Sequence, residues 1–279
     1  MPKNQAITVD NHLLDLLPIH KAEEFINECE LIELKAGQVL NTAGEPMAYA
    51  YFPLSSIISW EKQIDTGAFL AITLIGCEGM LCFSFNLGID QTSCRAIVQK
   101  EGFAWRVTAE KFERQLQNNS ALSTILKRYT FVVLSQLMQF GVCNLFHVLE
   151  CRLAKIFLML QDRANSNEIQ ITQESLAQML GVRRVGVTKA ASAMQRKNII
   201  SYSRGHVNII NKHNLQQQSC VCYKLDKAVY EDYLSVEHAE GVLDAKYIVN
   251  VQNGLRMNLN VKKRKSVKQT SNLQKSSPA

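Results

Sequence analysis

The stretch from Thr172 to Ile210, TQESLAQMLGVRRVGVTKAASAMQRKNIISYSRGHVNII, constrains this chain more than any other part. It reads as a helix, a tight turn, a second helix rich in basic residues, and a short hairpin. Leu176, Ala177, Leu180, Val182, Val187 and Ala190 fall where two short crossing helices face each other, and Ala177 is small enough for close approach. Gly181 supplies the positive φ of a sharp inter-helix turn. Arg183, Arg184, Thr188 and Lys189 point outward from the second helix, and such side chains suit phosphates and base edges. The pattern implies a surface that reads duplex DNA.

Charge is distributed to match. The formal net charge is +6, yet up to Glu168 the acids outnumber the bases, 18 to 14. The motif and its hairpin carry seven bases (Arg183, Arg184, Lys189, Arg196, Lys197, Arg204, Lys212) against Glu174 alone. Basic charge therefore gathers where the pattern expects a polyanion, which solubility does not require. With 279 residues, 47% of them hydrophobic, the chain can hold two cored domains plus appendages. No apolar run nears the ~20 residues that cross a bilayer. The start, MPKNQAITVDNHLLDLLPIHK, lacks the charged, apolar and cleavage regions of a signal peptide. The expectation is a cytoplasmic protein with no membrane partner. Eight cysteines lie without a CxxC pair, and Cys220 and Cys222 form only a CxC. No disulfide framework and no metal site are expected; the thiols read as free and mostly buried.

Texture divides the chain. Residues 1–30 form an N-terminal helical segment. From 31 to 108 short apolar stretches alternate with glycines at 37, 44, 67, 76, 79, 88 and 102, which predicts a small antiparallel barrel or jelly roll. Residues 109–146 form a helical connector whose long helix runs from Ala121 to about Phe140, capped from Asn118, Asn119 or Ser120. Leu122, Leu126, Tyr129, Val133, Leu137 and Phe140, with Ile125 and Val132 beside them, draw a seam broader than one barrel uses, so a second copy is the expected partner. Residues 147–223 hold the DNA-binding part. Residues 224–279 are an acidic, then basic extension with KKRK at 262–265, expected to be partly disordered.

A glycine-rich barrel, a long helix and a C-terminal winged helix-turn-helix, in that order, resemble the Crp/Fnr family of bacterial transcription regulators over roughly residues 30–223. ITQESLAQMLGVRRVGVTKAASAMQRKNIISYSRG and LKAGQVLNTAGEPMAYAYFP carry the resemblance, and CEGMLCFSFNLG followed by CRAIVQ looks like the effector-pocket region. The resemblance implies an α+β fold: an N-terminal jelly-roll β-barrel of the cyclic-nucleotide-binding kind, a long dimerisation helix and a C-terminal winged helix-turn-helix. It also implies a homodimeric, sequence-specific regulator, not an enzyme, with double-stranded DNA, a second copy and RNA polymerase as partners. By motif position Arg183, Arg184, Val185, Thr188 and Lys189 enter the major groove, Thr172 caps the first helix beside a phosphate, and Arg204 and His206 occupy the wing. Val185 stands where many relatives carry a glutamate that reads cytosine, so the half-site of the best-known members is not expected. Gly186 inside the recognition helix costs about 1 kcal/mol relative to alanine, with close approach to DNA or to the first helix as the compensation.

Glu78 and Arg95 match the family's ribose and cyclic-phosphate contacts. The stretch between them is longer than in nucleotide-binding relatives, and Phe83 and Phe85 fill the space a nucleotide needs. The expectation is an internal Arg95–Glu78 pair and no cofactor, a cyclic nucleotide being the alternative. Cys77, Cys82 and Cys94 are placed to converge as a thiol sensor, while haem ligation lacks a histidine beside Cys77. None of the six histidines lies in the barrel sequence, which argues against a metal-dependent enzyme. The rival reading is a cyclic-nucleotide- or redox-responsive signalling subunit that does not bind DNA by itself; the basic recognition helix speaks against it.

Overall fold

Two short helices open the fold in the computed structural model, which describes residues 11–64, 67–164 and 166–235. The first, α1 (His12–Asp15), starts at Asn11, whose Oδ1 accepts from the Leu13 N–H and whose Nδ2 donates to the carbonyls of Pro53 and Gly79. The second, α2 (Ile19–Ile26), lays Phe25 against Phe52 and Phe112, with ring centroids 5.2 and 6.2 Å away.

Seven strands follow: β1 (Glu30–Leu34), β2 (Val39–Asn41), β3 (Tyr49–Pro53), β4 (Ile57–Gln63), β5 (Phe69–Ile75), β6 (Arg95–Lys100) and β7 (Gly102–Thr108). They pair antiparallel in two sheets, ordered β1-β7-β3 and β2-β6-β4-β5. This is the jelly-roll sandwich that the glycine-punctuated texture predicts. A 3-10 turn, Phe83–Leu87, lies between β5 and β6.

Helix α3 (Ala109–Asn118) leads to α4 (Ser120–Phe146), where Asn119 Oδ1 accepts from the Leu122 N–H at 3.1 Å and caps the helix. By length and composition alone α4 passes as a helix able to cross a membrane, a test that core helices also pass. Its apolar residues are interleaved with Ser, Thr and Gln and so form no unbroken run. Leu122, Ile125, Leu126, Tyr129, Val132 and Val133 are buried in the chain's own core against the sandwich. The seam assigned to a second copy is thus corrected: most of it is an intramolecular face. A different stripe, Phe131, Leu134, Met138, Val142 and Leu145, is between 43% and 80% exposed. Its steps of three and four residues keep it on one side of the helix.

The C-terminal part comprises α5 (Leu149–Ala164), β8 (Glu168–Gln170), α6 (Gln173–Leu180), α7 (Arg184–Arg196), β9 (Ile200–Ser203), β10 (His206–Ile209), α8 (Lys212–Gln218) and α9 (Cys222–Leu234). The three strands form one sheet, β8-β10-β9. Helix α9 returns along α4: Tyr233 packs on Phe131 at 4.7 Å, and Asp226 forms a buried ion pair with Lys155 of α5 at 2.6 Å. The boundary expected after Tyr223 falls inside α9. The KKRK segment lies outside the described residues.

Candidate nucleic-acid interface

The helix pair is built as its pattern requires. Thr172 Oγ1 accepts from the Ser175 N–H at 3.0 Å and caps α6. Gly181 ends α6 with φ +62°, the left-handed turn that swings the chain into α7. Leu176, Ala177, Leu180, Val187 and Ala190 are buried together, and Ile57, Ala71 and Leu74 of the sandwich share that core. The helix-turn-helix thus rests on the barrel through α6 and leaves α7 outermost.

Arg183, Arg184, Val185, Thr188 and Lys189 are all exposed along one side of α7. Among the described residues, none of the three cations has an ion-pair partner. The Thr188 hydroxyl donates to Gln173 Oε1 at 2.6 Å, which fixes its orientation against α6. Arg183 caps α7 without a side-chain hydrogen bond, and its carbonyl accepts from the Gly186 N–H at 2.8 Å. A Cβ at Gly186 would lie 3.0 Å from Leu149 Cδ2. Within the chain the close approach is to α5, not to the first helix of the pair.

Strands β9 and β10 are joined by Arg204 and Gly205, at φ +48° and +83°, a two-residue turn of the type that matches hairpin twist. Arg204 and His206 are exposed there. Thr172 and Arg204 line, with Arg95 and Glu101 of the barrel, a groove of about 370 Å³. The outer side of α7 is open to solvent, while the α6 cap and the hairpin tip line the groove beside the barrel.

The effector residues are not brought together. Arg95 stands directly opposite Glu61 in the β4–β6 register, bonds it through Nε at 3.1 Å, and stacks 3.5 Å above the Phe69 ring. Glu78 sits 2.8 Å from Arg163 Nε of α5 and accepts from the Gly76 N–H at 3.0 Å. The expected Arg95–Glu78 pair is thus replaced by two others, because each residue has a nearer partner. The two also line different cavities: Glu78 borders one of about 610 Å³ with Asp162, Arg163 and Tyr230. Phe83 packs between Trp60 and Tyr129, and Phe85 packs on Phe112, so aromatic rings occupy the sandwich interior.

Six of the eight cysteines are buried, as the sequence expects, while Cys77, Cys82 and Cys94 each meet a separate partner. Cys82 Sγ accepts from Asn41 Nδ2 at 3.0 Å, and Cys94 Sγ lies 3.8 Å from Ser93 Oγ. Cys77 Sγ lies 3.9 Å from His12 Nε2, so a histidine does stand beside it, delivered by α1 from outside the barrel sequence. The convergence lies elsewhere. Donor atoms of Cys143, His147, Cys220 and Cys222 all fall within 4.8 Å of one another. Sequence reasoning missed this group for want of a CxxC; the available signal was Cys143 and His147 one helical turn apart, with a CxC far downstream.

Residues 151–218 match the Crp-like helix-turn-helix domain. Among solved structures, the chain is similar to FixK2 from Bradyrhizobium japonicum, at 13% identity and a TM-score of 0.59, over 69% of this chain and 98% of that one. It is similar to a CRP-family transcriptional regulator from Thermus thermophilus, TTHB099, at 12% identity and TM-score 0.57, over 67% and 96%. The c-di-GMP-responsive global regulator CLP of Xanthomonas campestris follows at 15% identity and TM-score 0.51, over 69% and 99%. No curated protein matches the sequence.

Proposed function

We propose that the chain, which carries a Crp-like helix-turn-helix domain and shares its fold with solved regulators of that kind, is a DNA-binding transcription regulator acting as a homodimer with α7 of each copy in the major groove. One observation carries the reading: Arg183, Arg184 and Lys189 stand exposed and without ion-pair partners, among the described residues, on a helix whose other side is core. In this assignment the planar fork of Arg184 bonds guanine O6 and N7. Val185 touches a thymine methyl, Arg183, Thr188 and Lys189 flank them, and Thr172, Arg204 and His206 meet the backbone. RNA polymerase is the partner through which such a regulator acts.

The exposed α4 stripe supplies the dimer contact. Leu134, Met138, Val142 and Leu145 pair with the same residues of a second copy, setting two recognition helices about one DNA turn, ~34 Å, apart. Replacing Leu134 and Met138 together with lysine should convert the dimer to a monomer in sedimentation equilibrium. An unchanged mass would reject this face. A cyclic nucleotide finds no support at Glu78 and Arg95, since both groups are held by internal partners.

The direct test is genome-wide mapping of bound sites, followed by binding of wild type and Arg184→Ala to the sites recovered. The variant should lose discrimination at one base position of each half-site. If both proteins select the same sequences equally well, the recognition assignment is wrong.

A further inference from the structure

Where the long helix ends and the last helix begins, four soft donors meet. Cys143 and His147 lie one turn apart at the end of α4, and Cys220 and Cys222 sit at the start of α9. Cys143 Sγ is 3.6 Å from Cys220 Sγ, and Cys222 Sγ is 3.4 Å from His147 Nδ1. A disulfide needs about 2.0 Å between sulfurs, so these thiols touch without being bonded. A tetrahedral ion with metal–sulfur bonds of about 2.3 Å and a metal–nitrogen bond of about 2.0 Å sets donor separations of about 3.8 Å for S···S and about 3.5 Å for S···N. The Cys143–Cys220 and Cys222–His147 spacings match those edges, and all four donors lie within 4.8 Å of one another.

The surroundings also suit an ion. All three cysteines are buried, and His147 is half-buried. Val221, between the two cysteines of the CxC, points to solvent, which lets both thiols turn to the same point. Gln139 Nε2 donates to Cys222 Sγ at 2.9 Å, an outer hydrogen bond of the kind that orients metal-bound thiolates.

We propose that Cys143, His147, Cys220 and Cys222 form a tetrahedral site for one thiophilic divalent ion of the zinc class. Thiolate and imidazole donors favour such an ion over magnesium or calcium, whose preference is oxygen. Binding sheds the thiol protons to solvent, and four protein ligands leave no position for a reacting water. The site therefore holds structure instead of performing catalysis. Its place in the fold gives that a consequence: α4 carries the exposed stripe, the α4–α5 connection begins at His147, and α9 emerges directly from the DNA-binding part. The ion fastens the exit of that part to the α4–α5 connection and so sets how α7 is held relative to α4.

Full-length protein, purified reduced and without a metal-affinity step, should contain one zinc per chain by elemental analysis. After removal of the ion, Co²⁺ titration should give the intense visible bands and sulfur-to-cobalt charge transfer of a tetrahedral thiolate site. Cys143→Ser and Cys220→Ser should lose both signals, His147→Ala should bind Co²⁺ at least tenfold more weakly, and Cys94→Ser, a barrel thiol, should match wild type. Circular dichroism separates lost binding from lost fold; should the serine variants unfold, the wild-type cobalt spectrum alone decides. Three results overturn the proposal: folded, reduced wild-type protein that gives no cobalt bands, bands unchanged in both serine variants, or a Cys143–Cys220 disulfide in place of the ion. The site stands apart from the DNA reading, because metal content is measured without DNA.

Discussion

The outward side of α7 and the barrel around Glu78 and Arg95 carry the same chemistry and use it in opposite ways. On α7, Arg183, Arg184 and Lys189 project into solvent with no ion-pair partner among the described residues. In the barrel, Arg95 is held by Glu61 and Phe69, and Glu78 by Arg163. Charge already paired inside the fold holds the fold; charge left open on a rigid helix is available to a polyanion. If that contrast is right, removing a charge from the barrel should injure stability and spare DNA binding, and removal from α7 should do the reverse.

Glu78→Ala gives the largest expected effect. It leaves the Arg163 guanidinium, only 7% exposed, without its carboxylate. Breaking a buried pair in this way costs about 3–5 kcal/mol. The remaining bonds from Arg163 to the carbonyls of Leu74 and Met159 hold the loss toward the lower end. Denaturant unfolding measures it, and the preferred DNA sequence should stay the same. Intact stability together with loss of a measurable cyclic-nucleotide affinity would break the comparison, since Glu78 would then be a ligand contact.

Arg184→Ala is the mirror experiment. Loss of a bidentate base contact costs about 1–3 kcal/mol of binding on the matched site. Its unfolding free energy should stay within about 0.5 kcal/mol of wild type, as for other surface changes. A clear loss of stability would mean that Arg184 supports the fold and that α7 is a structural surface. Arg204→Ala, at the wing, should weaken all sequences alike and lower the salt slope of binding by about one. A sequence-dependent loss would move Arg204 from backbone to base contact.

The same contrast explains what the sequence could and could not disclose. The helix pair was legible because Leu176, Ala177, Val187 and Ala190 alternate with charged residues at a helical period, and each of them is buried as expected. The strands were legible from glycines spaced like turns. Helix α4 was not, because apolar residues run nearly all around it. Period alone cannot say that Leu122 and Tyr129 meet the sandwich while Leu134 and Met138 meet solvent. The partners of Glu78 and Arg95 were equally hidden: Glu61 reaches Arg95 through strand register, and Arg163 reaches Glu78 from the following domain. Cys143 and Cys220 lie 77 positions apart, beyond any local motif.

The smallest expected effect concerns how the two regions are joined. Helix α6 rests on β5, with Leu70 of β5 the nearest heavy-atom neighbour of the position a Gly181 Cβ would take, at 3.1 Å. Thr172 and Arg204 line the groove beside the barrel, where a phosphate backbone would have to share space with Arg95 and Glu101. Leu70 is half-buried, so Leu70→Ala should loosen the docking by about 1 kcal/mol, part of the value of a fully buried leucine. If docking opposes DNA contact, affinity should rise by up to about fivefold, the equivalent of that free energy. The gain should appear in fluorescence anisotropy on matched and unmatched duplexes alike, because the contacts released are those to the backbone. A fall in affinity would show instead that the barrel braces the helix-turn-helix in its DNA-competent position, and the two regions would then have to be read as one binding unit.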